Sequence, residues 1–232
     1  MKILALSDEV VDALYSPGIH DRYGDVELVI GCGDLPFYYL EFIVTMLNVP
    51  LFYVPGNHDK PSQYLSDGRI VSRAEGCESI DGHVRRHERR GRPSVLLAGL
   101  GGSLRYNDSA AHQYTQAEMA ARAWGLAPGL LANRLQFGRA LDILVTHAPP
   151  RGTHDAADLA HTGFDVFQRL MDTFQPRYLL HGHSHVYRSD TVTATRRGQT
   201  EVLNVYPYRL IEWEPAAPRS PRQKDRGGGR KT

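Results

Sequence analysis

The stretch LFYVPGNHD, residues 51–59, joins a short apolar run to three consecutive polar side chains. The run at 51–54 is continuous rather than alternating, which is typical of a strand buried on both faces. A Pro-Gly pair then turns the chain, and Asn57, His58 and Asp59 follow at once. In an α/β sheet, the loops that leave the carboxyl ends of strands converge on one crevice. The stretch therefore predicts a strand that delivers polar groups to a ligand site.

The same arrangement recurs along the chain. Short apolar runs occur at 3–6, 26–30, 51–54, 95–100, 143–145, 178–180 and 202–205. Helical patterns fall between several of them, at 37–47, at 115–124 behind a Thr-x-x-Glu capping pattern, and at 164–174. A Thr/Val-rich, hairpin-like segment follows at 187–210. Strands that alternate with helices indicate an α/β sandwich.

The composition is that of a globular protein. The chain has 232 residues, of which 41% are hydrophobic and 23% charged, and its formal net charge is +1. This charge argues against a strongly basic protein that coats nucleic acid. No apolar run approaches the roughly 20 residues of a membrane span, and no secretory signal pattern is present. Two cysteines provide no disulfide framework, so a reduced, cytoplasmic setting is expected.

Two segments differ from the rest. The C-terminal residues 215–232 are rich in Pro, Gly and basic side chains, so we expect one folded domain at 1–214 followed by a disordered tail. The stretch DGHVRRHERRGR at 81–92 holds five arginines. A solvated hairpin or loop is the favoured interpretation, and contact with phosphate or nucleic acid is the alternative.

Five apolar runs stop at residues that can bind a metal ion. These residues are Asp8, Asp34, Asn57, His147 and the pair His183 and His185. Each alone is a weak signal, since an Asn is also a turn residue and an Asp also a helix cap. Together, Asp, Asn and neutral His form the mixed oxygen and nitrogen set that suits Mn, Fe, Co, Ni or Zn. Glycines at 33, 56 and 182 would let the backbone approach the ions closely.

On these residues the sequence resembles the calcineurin-like metallophosphoesterase superfamily. The motifs that carry the resemblance are Asp8-Glu9-Val10, Gly33-Asp34, Gly56-Asn57-His58-Asp59, Thr146-His147 and Gly182-His183-Ser184-His185. The resemblance implies a four-layer αββα sandwich with two mixed β-sheets. It also implies a hydrolase with a dinuclear metal centre, in which a metal-bridging hydroxide attacks the phosphorus of a phosphate ester.

The resemblance implies a role for each motif residue. Asp34 would bridge the two ions. Asp8 and His185 would hold the first ion, and the second ion would be held by Asn57, His147 and His183. His58 would contact the substrate and protonate the leaving oxygen, with Asp59 orienting it by accepting its other ring proton. The ions would be of the Mn, Fe, Zn or Ni class.

The first motif departs from the family pattern. The family has a histidine, a ligand of the first ion, where this chain has Val10. A set of three protein ligands completed by water is still usable, as in catalytic zinc sites, but we expect weaker binding of the first ion. Candidate replacements are Glu9, Asp12, His20 and His154. Glu9 should point away from Asp8, because side chains alternate along an extended segment. For His154, an exposed loop histidine is the favoured interpretation.

Two stretches are candidates for the substrate pocket. In the first, at 99–106, Arg105 could clamp a phosphate and Tyr106 could stack on a base; a tight turn with a surface arginine is equally compatible with the pattern. In the second, Tyr38 or Tyr39 could face the substrate, although packing of their helix in the core is favoured.

These observations lead to a metal-dependent phosphoesterase, with phosphodiesters favoured over phosphomonoesters. The substrate would be a small phosphate ester or a nucleotide; nucleic acid is not favoured, and no membrane partner is expected. One alternative is a binding or scaffold protein whose activity has lapsed, which only Val10 supports. Another is a nuclease that uses the basic stretch at 81–92. The oligomeric state and the native metal stay open.

Overall fold

The computed structural model describes residues 1–64, 68–107 and 111–215. The tail expected at 215–232 lies outside these residues except for its first one, so its disorder stays a prediction, and so does the boundary of the folded domain. No helix within the described residues combines the length and the hydropathy needed to cross a bilayer.

Short strands and five helices alternate along the described chain. The helices are α1 (Ile19–Tyr23), α2 (Phe37–Leu47), α3 (Gln116–Gly125), α4 (Ala127–Phe137) and α5 (Asp165–Phe174). The strands are β1 (Lys2–Leu6), β2 (Leu28–Gly31), β3 (Leu51–Tyr53), β4 (Gln63–Tyr64), β5 (Ile70–Val71), β6 (Glu78–Ser79), β7 (Val84–Arg89), β8 (Arg92–Leu100), β9 (Ser103–Leu104), β10 (Gln113–Tyr114), β11 (Ile143–Thr146), β12 (Tyr178–His181), β13 (Ala194–Arg197), β14 (Thr200–Asn204) and β15 (Tyr208–Glu212).

Two mixed sheets form the centre of the protein. The first has the order β15-β1-β2-β3-β6, in which only β15 is antiparallel to its neighbour. The second has the order β13-β14-β12-β11-β8-β7, with parallel strands in the middle and an antiparallel strand at each edge. Within each sheet, the carboxyl ends of the parallel strands therefore lie at the same edge. The polar motifs follow the strands at these edges.

Three hydrophobic clusters define four layers. The inner cluster joins residues of both sheets, such as Ile3 and Ile30 from the first sheet and Leu97 and Val145 from the second. A second cluster packs α1 and α2 on the outer face of the first sheet, and a third packs α3, α4 and α5 on the outer face of the second. The architecture is a four-layer αββα sandwich, as the resemblance implied.

The predicted elements are confirmed with small changes of boundary. All seven apolar runs form strands, and the three predicted helices correspond to α2, α3 and α5. Thr115 and Glu118 form the expected capping box at the start of α3. Two helices were not predicted. Helix α1 is too short to show a periodic pattern, and α4 carries Pro in its first turn, where the missing N–H has no helical partner to lose.

The basic stretch at 81–92 is a hairpin, in agreement with the favoured interpretation. Strand β7 pairs antiparallel with the start of β8 through a turn at 90–91. Four of its five arginines are paired with glutamates: Arg85 pairs with Glu78, Arg86 with Glu88, and Arg89 and Arg92 both with Glu27. These ion pairs offset part of the positive charge of the hairpin.

Candidate metal centre

The first two carboxylates leave neighbouring parallel strands and meet at the sheet edge. Asp8 follows β1, Asp34 follows β2, and the Asp8 N–H donates to the carbonyl of Gly33 at 3.0 Å. Both aspartates adopt left-handed backbone conformations, with φ of 65° and 55°, which non-glycine residues seldom adopt outside turns and functional sites. One ligand atom each from Asp8, Asp34 and His147 lie within 4.8 Å of one another. The fold therefore assembles a compact set of oxygen and nitrogen donors.

His147 and Asn57 complete one side of this set. His147 is fully buried, and its Nδ1–H donates to the carbonyl of Cys32 at 2.8 Å, which ties the second sheet to the first. Its Nε2 consequently faces Asn57 Oδ1 at 3.0 Å and Asp34 Oδ2 at 3.3 Å. The Asn57 amide is oriented in turn, because its Nδ2 donates to the Tyr106 hydroxyl at 3.1 Å. Three potential ligand atoms thus point to one position.

His183 is held beside them in the tautomer that a ligand needs. Its Nε2–H donates to the carbonyl of Ala160 at 2.7 Å, which leaves the Nδ1 lone pair available. Its backbone N–H donates to both carboxylate oxygens of Asp8, at 3.0 and 3.1 Å. Burial lowers the pKa of His183 to about 4, so the ring is neutral near pH 7. Its ring centroid lies 4.9 Å from that of His147.

His185 lies on the open side of the centre. Its Nε2 is 3.6 Å from Asp8 Oδ1, while 41% of its side chain remains exposed. The six predicted metal-binding residues therefore form one contiguous cluster where the edges of the two sheets meet. Asp8 contacts His183 and His185, and Asp34 contacts His147 beside Asn57.

Glycines make this close assembly possible. A Cβ atom on Gly56 would lie 2.1 Å from Asp34 Oδ1, and one on Gly182 would lie 2.4 Å from Asp8 Oδ2. Both distances are far below van der Waals contact, so any side chain at these positions would displace a carboxylate. The glycines flanking the motifs therefore act by leaving space for the metal-binding groups.

Charge within the centre favours a cation. Burial by itself would lower the pKa of His147, but the Asp34 and Asp8 carboxylates outweigh it and raise the pKa to about 9. Burial likewise opposes ionisation of Asp34, yet His147 and the backbone N–H of His58 lower its pKa to about 2. Two carboxylates, an amide oxygen and imidazoles, including that of His147 once it has lost its proton, fit divalent metals of the Mn, Fe or Zn class.

Metal binding should release a proton. Without metal, the raised pKa of His147 keeps this imidazole protonated at pH 7, whereas a ligand must offer an unprotonated Nε2. We expect release of about one proton from His147 at pH 7, and an apparent metal affinity that rises about tenfold per pH unit until pH approaches the pKa. Calorimetric titration with Mn²⁺ in two buffers of different ionisation enthalpy measures the release. Identical heats in both buffers would contradict the geometry proposed for His147.

His58 and Asp59 lie where the resemblance implied, but with different partners. The His58 N–H donates to Asp34 Oδ1 at 2.8 Å, and its exposed ring makes no hydrogen bond within the described residues. Asp59 was expected to orient that ring. Its Oδ2 instead accepts the backbone N–H groups of Asp34 and Gly56, at 2.9 and 2.8 Å. Asp59 therefore fastens the two loops together, and burial raises its pKa to about 6.

The expected substrate residues also differ. Arg105 was a candidate phosphate clamp, but its guanidinium is paired with Glu118 at 2.8 Å and donates to the carbonyl of Gln113. The capping-box glutamate of α3 thus pairs with the arginine, and a role of Arg105 as a phosphate clamp stays a prediction. Tyr106 contacts the centre by accepting a hydrogen bond from Asn57, and its stacking on a ligand stays a prediction. Tyr38 is 51% exposed, whereas Tyr39 is buried, so only Tyr38 can meet a substrate.

The four candidate replacements for the histidine missing at Val10 lie in different environments. The valine packs against the outer hydrophobic cluster. Glu9, Asp12 and His20 are exposed, and none of the four lies in the group formed by Asp8, Asp34 and His147 within the described residues. His154 is not the exposed loop histidine expected, because its two ring nitrogens are bonded to His181 Nε2 and Thr195 Oγ1, each at 2.9 Å.

Two clefts open beside the centre. The first cleft, of about 490 Å³, is lined by Asp34, Pro36, Tyr38, His58, Asp59, Lys60, Ser62 and Gln63. The second cleft, of about 450 Å³, is lined by His154, Asp155, Ala156, His161, Ser184, His185, Tyr187, Thr191, Val192 and Asn204. No residue lines both clefts, and each contains a predicted metal ligand. Most residues of the second cleft belong to none of the sequence motifs, so this cleft could not be predicted from the sequence.

Known proteins share this fold. A family model for calcineurin-like phosphoesterases matches residues 19–187, which is well over half of the chain and begins after the altered first motif. One solved structure superposes with a TM-score of 0.57 at 15% identity, covering 90% of this chain and 94% of its own. The crystal structure of TT1561 from Thermus thermophilus gives a TM-score of 0.54 at 15% identity and covers 88% of each chain.

A further solved structure, the calcineurin-like phosphoesterase YfkN from Bacillus subtilis, gives a TM-score of 0.46 at 12% identity, covering 82% of this chain and 74% of its own. No curated protein sequence gives a significant match. At 15% identity, the two structures with TM-scores above 0.5 show a common fold and nothing about substrates, whereas the family model spans most of the chain. The chain belongs to the calcineurin-like phosphoesterase family.

Proposed function

We propose that this protein is a metal-dependent phosphodiesterase that also accepts phosphomonoesters. The observation that carries the proposal is the convergence of Asp8, Asp34, Asn57, His147, His183 and His185 on one crevice. Asp34 would be shared by two ions, with Asp8 and His185 on the first. Asn57, His147 and His183 would hold the second. When bound there, two divalent ions supply an acidified water as nucleophile and neutralise charge on the phosphoryl group.

The residues of the chain provide the rest of the chemistry. Asp59 holds the loops of Asp34 and Gly56 together, so the ligands are positioned before the substrate arrives. His58 stands on the same loop with its backbone fixed to Asp34 and its ring exposed in the first cleft. From there the imidazole would give a proton to the leaving oxygen.

The two clefts support a diester substrate. A phosphomonoester has one organic arm, whereas a phosphodiester has two, and both must leave the phosphorus in different directions. The first cleft shares Asp34 with the proposed centre, and the second shares His185. A phosphoryl group at the centre could therefore place one arm in each cleft.

The structure weakens the two alternatives. A nuclease that uses the 81–92 hairpin needs free cations near the centre, but four of its five arginines are paired with glutamates. The turn of the hairpin also precedes β8, whereas the centre lies at the far end of that strand, roughly 26 Å away at 3.3 Å per residue. A lapsed scaffold is disfavoured because the ligands of the second ion remain oriented by Tyr106, Cys32 and Ala160.

Hydrolysis assays test the proposal. With added Mn²⁺, the purified protein should hydrolyse bis-(p-nitrophenyl) phosphate with a higher kcat/KM than p-nitrophenyl phosphate. Asn57→Ala should remove most of both activities, since it deletes a proposed ligand and shows that the activity belongs to this site. If neither ester is hydrolysed, the proposed enzymatic activity is refuted. A preference for the monoester would refute only the argument that the two clefts bind the two arms of a diester.

A further inference from the structure

One segment, residues 204–207, is hydrogen-bonded to both loops that carry the proposed ligands of the first ion. On one side, the Asn204 Nδ2 donates to the carbonyl of Ser184 at 2.6 Å, next to His185 in the chain. On the other side, the Ser7 N–H donates to the carbonyl of Pro207 at 3.1 Å, next to Asp8. The segment therefore spans the two halves of the first ion's site.

Tyr206 occupies the middle of this segment and contacts His185 directly. The two rings are stacked, with centroids 4.7 Å apart and planes inclined by 18°. The Tyr206 hydroxyl donates to Glu9 Oε2 at 2.9 Å, and its backbone N–H donates to Asn204 Oδ1 at 3.0 Å. Tyr206 is thus held at its backbone and at its hydroxyl, while its ring covers one face of the imidazole.

A second tyrosine fixes the rotation of the same imidazole. His185 Nδ1 and the Tyr187 hydroxyl are hydrogen-bonded at 2.7 Å, which turns Nε2 to Asp8, whose Oδ1 is 3.6 Å away. A half-exposed histidine without such contacts would exchange among several rotamers. Metal-bound histidines commonly depend on such a bond from the other ring nitrogen for their orientation.

We propose that Tyr206 is a positioning residue that holds His185 as a ligand of the first ion and so compensates for the histidine missing at position 10. This inference rests on the metal centre of the proposed function. The contact to Glu9 gives that exposed carboxylate a role as an anchor for Tyr206 instead of as a replacement ligand. Tyr187 assists from the other side of the ring.

The variants Tyr206→Leu and Tyr206→Phe test this role, with metal content as the readout. Each protein is dialysed against buffers of graded free Mn²⁺, and ions per chain are counted by plasma mass spectrometry. The wild type should bind two ions with different affinities. Tyr206→Leu should weaken only the weaker-binding ion, by about 10- to 100-fold. Tyr206→Phe keeps the stacked ring and loses only the bond to Glu9, so most of the affinity should return.

Tyr208→Leu is the matched control. Tyr208 lies two residues further on and contacts Tyr23 on the outer face of the first sheet. The control therefore makes the same Tyr→Leu change away from the centre. Its two metal affinities should equal those of the wild type. Unchanged affinities in Tyr206→Leu would overturn the positioning role, and so would an equal loss in Tyr206→Leu and Tyr208→Leu. A wild type that binds no ion would instead refute the proposed function.

Discussion

Asp34→Asn should reduce kcat by about 10³-fold or more on both p-nitrophenyl esters. A metal ion supplies several kcal/mol of charge stabilisation in such reactions, and each 1.4 kcal/mol corresponds to about a factor of ten in rate. Asp34 is the proposed shared ligand, and its pKa of about 2 means that the carboxylate is charged at every assay pH. Asparagine has the same shape without the charge, so this one substitution should weaken the binding of both ions. Initial rates at saturating Mn²⁺ measure the effect.

The same substitution should leave the fold in place. Loss of the carboxylate removes the main partner of protonated His147, which can then become neutral, as burial alone favours. Circular dichroism and thermal unfolding of the variant should therefore match those of the wild type. Asp172→Asn is the control, because Asp172 is exposed on α5, belongs to none of the motifs and pairs with Arg197. Retention of more than about a tenth of the rate in Asp34→Asn would show that the ions do not share this carboxylate.

His58→Ala should lower the rate in a way that depends on the leaving group. General acid catalysis contributes about 10²- to 10⁴-fold, and it matters most when the leaving oxygen is strongly basic. For phenyl phosphate esters we expect a loss in this range, and for p-nitrophenyl esters, whose leaving group needs little protonation, a much smaller one. The comparison of kcat for the two esters with wild type and variant measures the role of the proton.

The matched control is His20→Ala. His20 is exposed on α1 and was a candidate ligand from the sequence, but it lies outside the group of Asp8, Asp34 and His147. Its removal should change neither ester's rate. An equal loss on both esters in His58→Ala would mean that His58 binds the phosphoryl group without donating a proton.

Much of the fold could be predicted because the strands are short, apolar and buried on both faces. The runs at 3–6 and 143–145 do not alternate between apolar and polar residues, which predicts strands that are buried on both faces. In the structure, both runs form strands with parallel neighbours, covered by helices on one face and by the other sheet on the second. Helix α4 could not be predicted in the same way, since Pro and Gly in its first turn conceal the pattern. Tertiary packing on the second sheet, rather than local propensity, stabilises it.

For the candidate centre, the sequence by itself determined which residues end the strands. Asp8, Asp34 and Asn57 follow neighbouring parallel strands of the first sheet, and His147, His183 and His185 follow neighbouring parallel strands of the second, so each set lies at one edge of its sheet. The two edges meet because the sheets pack face to face through the inner cluster.

Only the tertiary structure decided what each side chain contacts. Arg105 pairs with Glu118, Asp59 accepts backbone N–H groups, and Tyr206 stacks on His185 from 21 positions further along the chain. These partners are selected by distances of a few ångström between loops from different strands, which residue type and spacing do not encode. The missing histidine at Val10 was visible in the sequence, but the way in which His185 is held in its absence became visible only in the folded chain.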